Sequence, residues 1–134
     1  MTVPAKKRIE ELAVDDCFEL LKTMSLGRLA YAVDGEPRIL PLNYQLHQGS
    51  VVFRTGYGDV LDHVHHHDVV FEVDHGEPEG HTGWSVIVHG VAEEIWRPEE
   101  LEVVRQLTLR PWAPGDRDHY VRILSSSITG RRIT

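Results

Sequence analysis

Residues 53–75, FRTGYGDVLDHVHHHDVVFEVDH, hold a dense set of side chains able to do chemistry. Arg54 and Thr55 run into Gly56, Tyr57 and Gly58. His63, His65, His66, His67 and His75 then follow. A guanidinium, a hydroxyl and exposed main-chain N–H groups just ahead of a helix start are the parts of an anion site. Arg54 and Thr55 point to opposite faces of a regular strand, so both meet one ligand only where the strand twists or ends. The plainer reading is a strand end carrying a solvated arginine. The histidines suggest metal. If residues 57–67 are helical, His63 and His67 share a face at i, i+4, and such a pair can chelate zinc. Structural zinc wants four ligands, however, and Cys17 is distant. There is no CxxC or HExxH, and alternating His and Asp also makes a solvated face. No metal site is assigned. A histidine cluster that repels itself once protonated is a third option.

These residues need elements to hold them. Asp15 or Asp16 could cap a short helix whose stripe is Cys17, Leu20, Leu21 and Met24. RLAYAV (28–33), RILPLNYQLH (38–47), SVVFRT (50–55), DVVFEVDH (68–75), WSVIVHGVAEEIW (84–96) and HYVRILSS (119–126) read as strands. Asp34–Gly35 and Gln48–Gly49 are turn signals. Pro41 cannot donate a ladder hydrogen bond, which places it at an edge, a bulge or a split in the sheet. Gly90 is a candidate bulge. Residues 57–67, with Asp59 as a possible cap, and 98–107 read as helices, 110–116 as loop and 128–134 as a tail. Six strands joined mostly by short turns indicate a mainly β, antiparallel barrel with a few short helices.

The bulk properties set limits. A chain of 134 residues suits one domain spanning 1–134, with 1–8 as a loose basic arm. A formal charge of −7 argues against a nucleic-acid partner. One cysteine allows no intrachain disulfide, and no apolar run spans a bilayer, so a cytoplasmic setting without membrane partners is expected.

Five segments taken in order carry a resemblance. They are SLGRLAYAVDGEPRILPLNY (25–44), VVFRTGYG (51–58), VVFEVD (69–74), GWSVIVHGVAEEI (83–95) and ITGRRI (128–133). Together, over nearly the whole chain, they resemble the pyridoxamine 5'-phosphate oxidase-like family, closest to its small actinobacterial and nitroimidazole-resistance-like branch. The resemblance implies a split β-barrel homodimer with FMN at each subunit interface and a small-molecule redox substrate. It implies that Arg38, Ile39, Leu40, Pro41, Leu42 and Asn43 line the isoalloxazine ring. Arg54, Thr55 and Gly58 match the strand end and loop that meet the ring and the ribityl phosphate. Trp84 and Ser85 match positions that reach the flavin from the partner, and Arg131 or Arg132 could close over the site.

One departure bears on this. Asp59 and Val60 stand where the family usually carries a basic residue for the phosphate. Two like unit charges about 4 Å apart repel by roughly 1 kcal/mol in water and several-fold more near a protein surface. Either Arg54 and His63 take over, or FMN binds weakly or not at all. No match to the substrate arginine–histidine motif of the vitamin B6 oxidases is present, so that activity is not expected. Tyr44, His47 and His89 are the nearest candidates for acid–base work. A deazaflavin ranks below FMN. A haem- or flavin-binding carrier and a cofactor-less dimeric barrel are the readings from other classes.

Overall fold

A computed structural model describes residues 6–134. Seven strands and three short helices follow in the order β1 (Ile9–Glu11), α1 (Val14–Leu21), β2 (Leu26–Val33), β3 (Glu36–His47), β4 (Ser50–Thr55), α2 (Asp59–Val64), β5 (Asp68–Glu77), β6 (Thr82–Ile95), α3 (Pro98–Val104) and β7 (His119–Ile133). All strand pairings are antiparallel. The order β7-β4-β3-β2-β5-β6 closes on itself through β6–β7, and β1 adds to β7. The expected six-stranded barrel is therefore present, with β1 as an extra strand. No helix among the described residues is long and apolar enough to cross a membrane.

Local chemistry sets the corners. Asp34 and Gly35 have φ 51° and 79°, and Gln48 and Gly49 have φ 50° and 78°. Two successive left-handed residues make the tight hairpin turn whose twist matches its strands. β3 pairs with β2 over Glu36–Asn43 and with β4 only over Tyr44–His47. Pro41 thus lies where the strand has one neighbour, at a split, as its missing N–H requires.

The barrel interior is filled by Leu29, Val51, Phe53, Phe71, Val86, Val88, Val121 and Ile123, with Leu61 and Val64 of α2 and Cys17 and Leu21 of α1 packed against them. Fully burying each such side chain contributes about 1.5–3 kcal/mol. A second cluster, Val52, Ile95, Val104, Leu109 and Tyr120, seats α3 on the outer face of β4, β6 and β7. The Tyr44 ring meets Phe71 edge-on at 5.2 Å, and its hydroxyl donates to the Leu21 carbonyl at 2.6 Å. That bond ties the end of α1 to β3, and burial pushes the Tyr44 hydroxyl pKa well up.

Several boundaries differ from the sequence reading. The helix expected at 57–67 ends at Val64, and its cap is Gly58 and not Asp59. Main-chain bonds to Ala92 of β6 replace another helical turn: the His66 N–H donates to the Ala92 carbonyl at 2.7 Å, and the Ala92 N–H donates to the His67 carbonyl at 3.0 Å. His63 and His67 therefore do not share a helical face. α1 is capped by Ala13; Asp15 and Asp16 sit in its first turn, where they favour the helix dipole. The tail expected at 128–134 is the second half of β7. Of the expected arm, residues 1–5 lie outside the described residues, while Arg8 and Thr134 exchange main-chain bonds.

The register of β6 against β7 shifts between His89 and Gly90, which pair with Ser127 and Ser125 and leave Ser126 as the extra residue. A Cβ on Gly90 would lie 2.2 Å from the Leu124 carbonyl oxygen. Gly90→Ala is expected to destabilise the fold by about 1–3 kcal/mol in urea denaturation, the usual cost of overpacking. Gly80→Ala, whose Cβ would make ordinary contacts at 3.6 Å, is expected to stay within about 0.5 kcal/mol of the parent.

Candidate functional site

Where β3 parts from its second neighbour, its wall stands open. Leu40 and Leu42 pack back on the core, while Ile39, 71% exposed, and Pro41 lie on the outer face. Leu40, Pro41, Leu42 and Asn43 line a cavity of about 270 Å³, together with Arg54 and residues of the loop between α3 and β7. The structure thus brings together five of the expected ring and phosphate residues. Arg38 pairs with Glu36 on the exposed end of β3 and is not part of this wall.

The 105–118 loop forms the other side, and its attachments explain the pocket. Arg54 Nε donates to the Arg117 carbonyl at 2.9 Å and Nη1 to the Leu109 carbonyl at 3.1 Å. Its guanidinium lies 5.2 Å from the centre of the Tyr120 ring. The Trp112 N–H donates to Asn43 Oδ1 at 2.8 Å, and Asn43 Nδ2 donates to the Ser25 carbonyl at 3.2 Å. Asn43 therefore pins both the loop and the start of β2. Gly56 is required by this packing, because a Cβ there would lie 2.7 Å from the Asp116 carbonyl oxygen.

Arg117 is the functional candidate that the sequence reading missed. It lines the same cavity as Arg54. Its Nη2 donates to the Pro114 carbonyl at 3.3 Å. Its Nε is buried without a hydrogen-bond partner, the one such side-chain atom among the described residues. A buried donor left unmade costs about 1–3 kcal/mol, more on a charged group. Two guanidinium groups on one small cavity, one with an unmet donor, form an environment that an anion would satisfy. The signal in the sequence is the basic and aromatic content of RPWAPGDR at 110–117, whose prolines and glycine read as loop.

Beside the glycine loop lies a second missed pair. His119 stands opposite Thr55 in the β4–β7 register, and the Tyr57 ring meets it edge-on at 4.2 Å. His119 Nδ1 and Glu94 Oε2 are 2.5 Å apart and largely buried. A carboxylate bonded at Nδ1 fixes the ring so that Nε2 is the nitrogen left for other work. The Glu94 N–H in turn donates to His65 Nδ1 at 3.0 Å, so the neutral His65 ring carries its proton on Nε2. His65 is thus anchored to the barrel and not merely solvent-facing.

The remaining candidates are spread out. Thr55 is buried, with its hydroxyl donating to the Gly56 carbonyl at 3.3 Å. Gly58 caps α2, and His63 lies in that helix's last turn, outside the β3 wall. Among the described residues no group of three or more His, Cys, Asp and Glu side chains is placed to hold a metal. Trp84, Ser85 and Arg131 share a different cleft of about 400 Å³ with Ile9, Asp74 and His75. The Tyr44 hydroxyl is committed to Leu21.

Next to that second cleft, Arg28 stands opposite Glu72 and reaches Asp74 at 3.5 Å and Glu72 at 3.8 Å. One arginine faces two carboxylates. Burial, then the hydrogen bond and charge of Asp74, push Glu72 up to about 7 against the opposing pull of Arg28.

The family model for pyridoxamine 5'-phosphate oxidase matches residues 13–132. The uncharacterized protein Rv0080 of Mycobacterium tuberculosis is 31% identical over 95% of this chain and 87% of its own. The structure of an FAD-binding protein from Mycobacterium smegmatis is 34% identical, with a TM-score of 0.78, covering 91% of this chain and 96% of that one. An FAD-binding protein from Mesorhizobium loti is 25% identical, with a TM-score of 0.80, covering 94% of this chain and 99% of that one.

Glu72 yields a pH prediction. Its folded pKa lies above the ordinary 4.5, so the folded state holds the proton more tightly. The associated stability is complete below about 4.5 and is lost as pH rises through about 7. Thermal melts from about pH 5 to about pH 8 are expected to show that decline in the parent and a flatter profile in Glu72→Gln. Identical profiles would remove the assignment.

Proposed function

The chain belongs to the pyridoxamine 5'-phosphate oxidase family, and from that premise we propose that it is a flavin-dependent oxidoreductase acting on a small molecule in the cytoplasm. The observation that carries the proposal is the β3 cavity, with an apolar wall on one side and the Arg54–Arg117 pair on the other. A flat ring wants an apolar wall with a few polar groups aimed at its edge. Leu40, Pro41 and Leu42 supply the wall, and Asn43 supplies the edge. Arg54 and Arg117 face the phosphate. Arg117 thereby takes the role left open by Asp59 and Val60. Two similar proteins are called FAD-binding, and FAD carries the same ring and ribityl phosphate as FMN, the cofactor the sequence reading favours.

When bound, the flavin supplies hydride or single-electron chemistry. The protein's own residues bind, orient and shield it. Arg54 and Asn43 hold the 105–118 loop against the ring wall. A cavity of about 270 Å³ is smaller than the roughly 300–1,000 Å³ usual for small-molecule sites, so one subunit presents a wall and not an enclosure. A second copy completes it in this reading, bringing Trp84, Ser85 and Arg131 from its own separate cleft.

A cofactor-less barrel is favoured by one observation: two Arg54 donors already serve main-chain carbonyls. The two readings part on purification. The flavin reading expects a yellow dimer that releases FMN or FAD on denaturation. Arg54→Ala should lose the flavin. Arg117→Met is the sharper variant, because it removes the unmet buried donor. It should melt no lower than the parent yet retain at least about ten-fold less flavin, consistent with loss of a charge-assisted bond. A colourless monomer that refuses both flavins would overturn the proposal.

A further inference from the structure

We propose that Glu94 and His119 are positioning residues for the phosphate end of the flavin site, fixing where the Arg54–Arg117 pair and the adjoining glycine loop stand. The inference deepens the flavin reading and rests on it for the identity of the anion. The path of the chain gathers these groups. His119 is the first residue of β7, where the 105–118 loop re-enters the sheet. It stands opposite Thr55, the last residue of β4. Arg54 comes one residue before this junction on one strand, and Arg117 two residues before it on the other. Gly56, just beyond it, packs so close to the loop that a Cβ would lie 2.7 Å from the Asp116 carbonyl oxygen. Both guanidinium groups and the start of the glycine loop therefore hang from one strand pairing. Whatever holds that pairing sets the spacing of two charges on a cavity of about 270 Å³.

Glu94 holds it. Glu94 faces Val121 of the core across β6 and β7, which places its side chain on the same face as His119. Its Oε2 accepts from His119 Nδ1 at 2.5 Å, and the two side chains are only 25% and 18% exposed. The same imidazole meets the ring of Tyr57, the middle residue of the glycine loop, edge-on at 4.2 Å. The Glu94 N–H donates to Nδ1 of His65, the residue that closes α2, at 3.0 Å. Through His119 at the start and its own N–H at the end, one residue of β6 thus grips the segment from Tyr57 to His65. Its neighbour Glu93 pairs with Arg122, which leaves the Glu94 carboxylate to His119.

Stability alone is a weak account of this pair. Exchanging a buried charged pair for apolar side chains of similar volume is often neutral or stabilising, because desolvation offsets the attraction. A short directional bond supplies what an apolar contact does not, a fixed geometry. Recognition of a charged group needs its partners held within about 0.5 Å of the productive arrangement.

The test compares FMN with riboflavin, which has the same ring and ribityl chain without the phosphate, by fluorescence titration of the flavin-stripped full chain. The ratio of the two dissociation constants reports the phosphate contact, and the parent should bind FMN the more tightly. The double variant His119→Phe/Glu94→Leu should keep a cooperative urea transition, lose about ten-fold in FMN affinity and hold riboflavin within about two-fold. Glu94→Gln, whose side-chain carbonyl still accepts from Nδ1–H, should retain most of the parent's ratio. An unchanged ratio in the double variant, or equal losses of FMN and riboflavin, overturns the positioning role and spares the flavin reading. A double variant without a cooperative transition makes the pair a structural one and has the same consequence. So does Glu94→Gln falling to the level of the double variant, which would assign the effect to charge and not to geometry. A parent that binds the two compounds equally also overturns this inference alone, whereas a parent that binds neither overturns the flavin reading with it.

Discussion

The Arg54 guanidinium is the contact on which the site depends. It stands at the end of a barrel strand and donates to two main-chain carbonyls, Leu109 and Arg117, eight residues apart on one loop. It shares the holding of that loop along β3 with the Trp112 N–H bond to Asn43 and with the buried Leu109, while Pro111 and Pro114 supply no N–H. Both cavities that border Asn43 are formed between this loop and the barrel. The residue expected to meet a phosphate directly also shapes the wall around it. Its second role is to set Arg117 beside it.

The strand that carries the wall owes its openness to one proline and one change of partner. β3 is twelve residues long, but β4 accompanies it only over Tyr44–His47. The rest has a single neighbour. An exposed strand edge is normally covered, bent or broken by a residue that cannot pair. Pro41 supplies the break, and the 105–118 loop supplies part of the cover. The exposed Ile39 leaves the outer part of the edge apolar. The Arg54–Arg117 pair and the open wall both lie at this split in the barrel.

Much of the barrel was legible because its signals are local. Asp34–Gly35 and Gln48–Gly49 fix hairpins through backbone angles, and alternation from Val69 to Val73 fixes strand faces. The end of β7 was not legible, because Ser125–Ser126–Ser127 breaks the alternation where the bulge absorbs an extra residue. The helix over 57–67 was overextended because His65, His66 and His67 bond to β6, a contact that helical periodicity cannot report. In the site, the run from Leu40 to Asn43 and Arg54 was readable from motif order. Arg117 and the His119–Glu94 pair were not: each depends on a partner 25 or more residues away.

β7 touches β1, β4 and β6 at once, and β6 and β7 are the two longest strands. Contacts between segments so far apart along the chain delay barrel closure to a late step of folding. While the ribosome is still making residues 119–133, β4 and β6 each lack a neighbour. Nascent chains at that stage display two adhesive borders, and crowding on a polysome is where this protein is most exposed to misassembly.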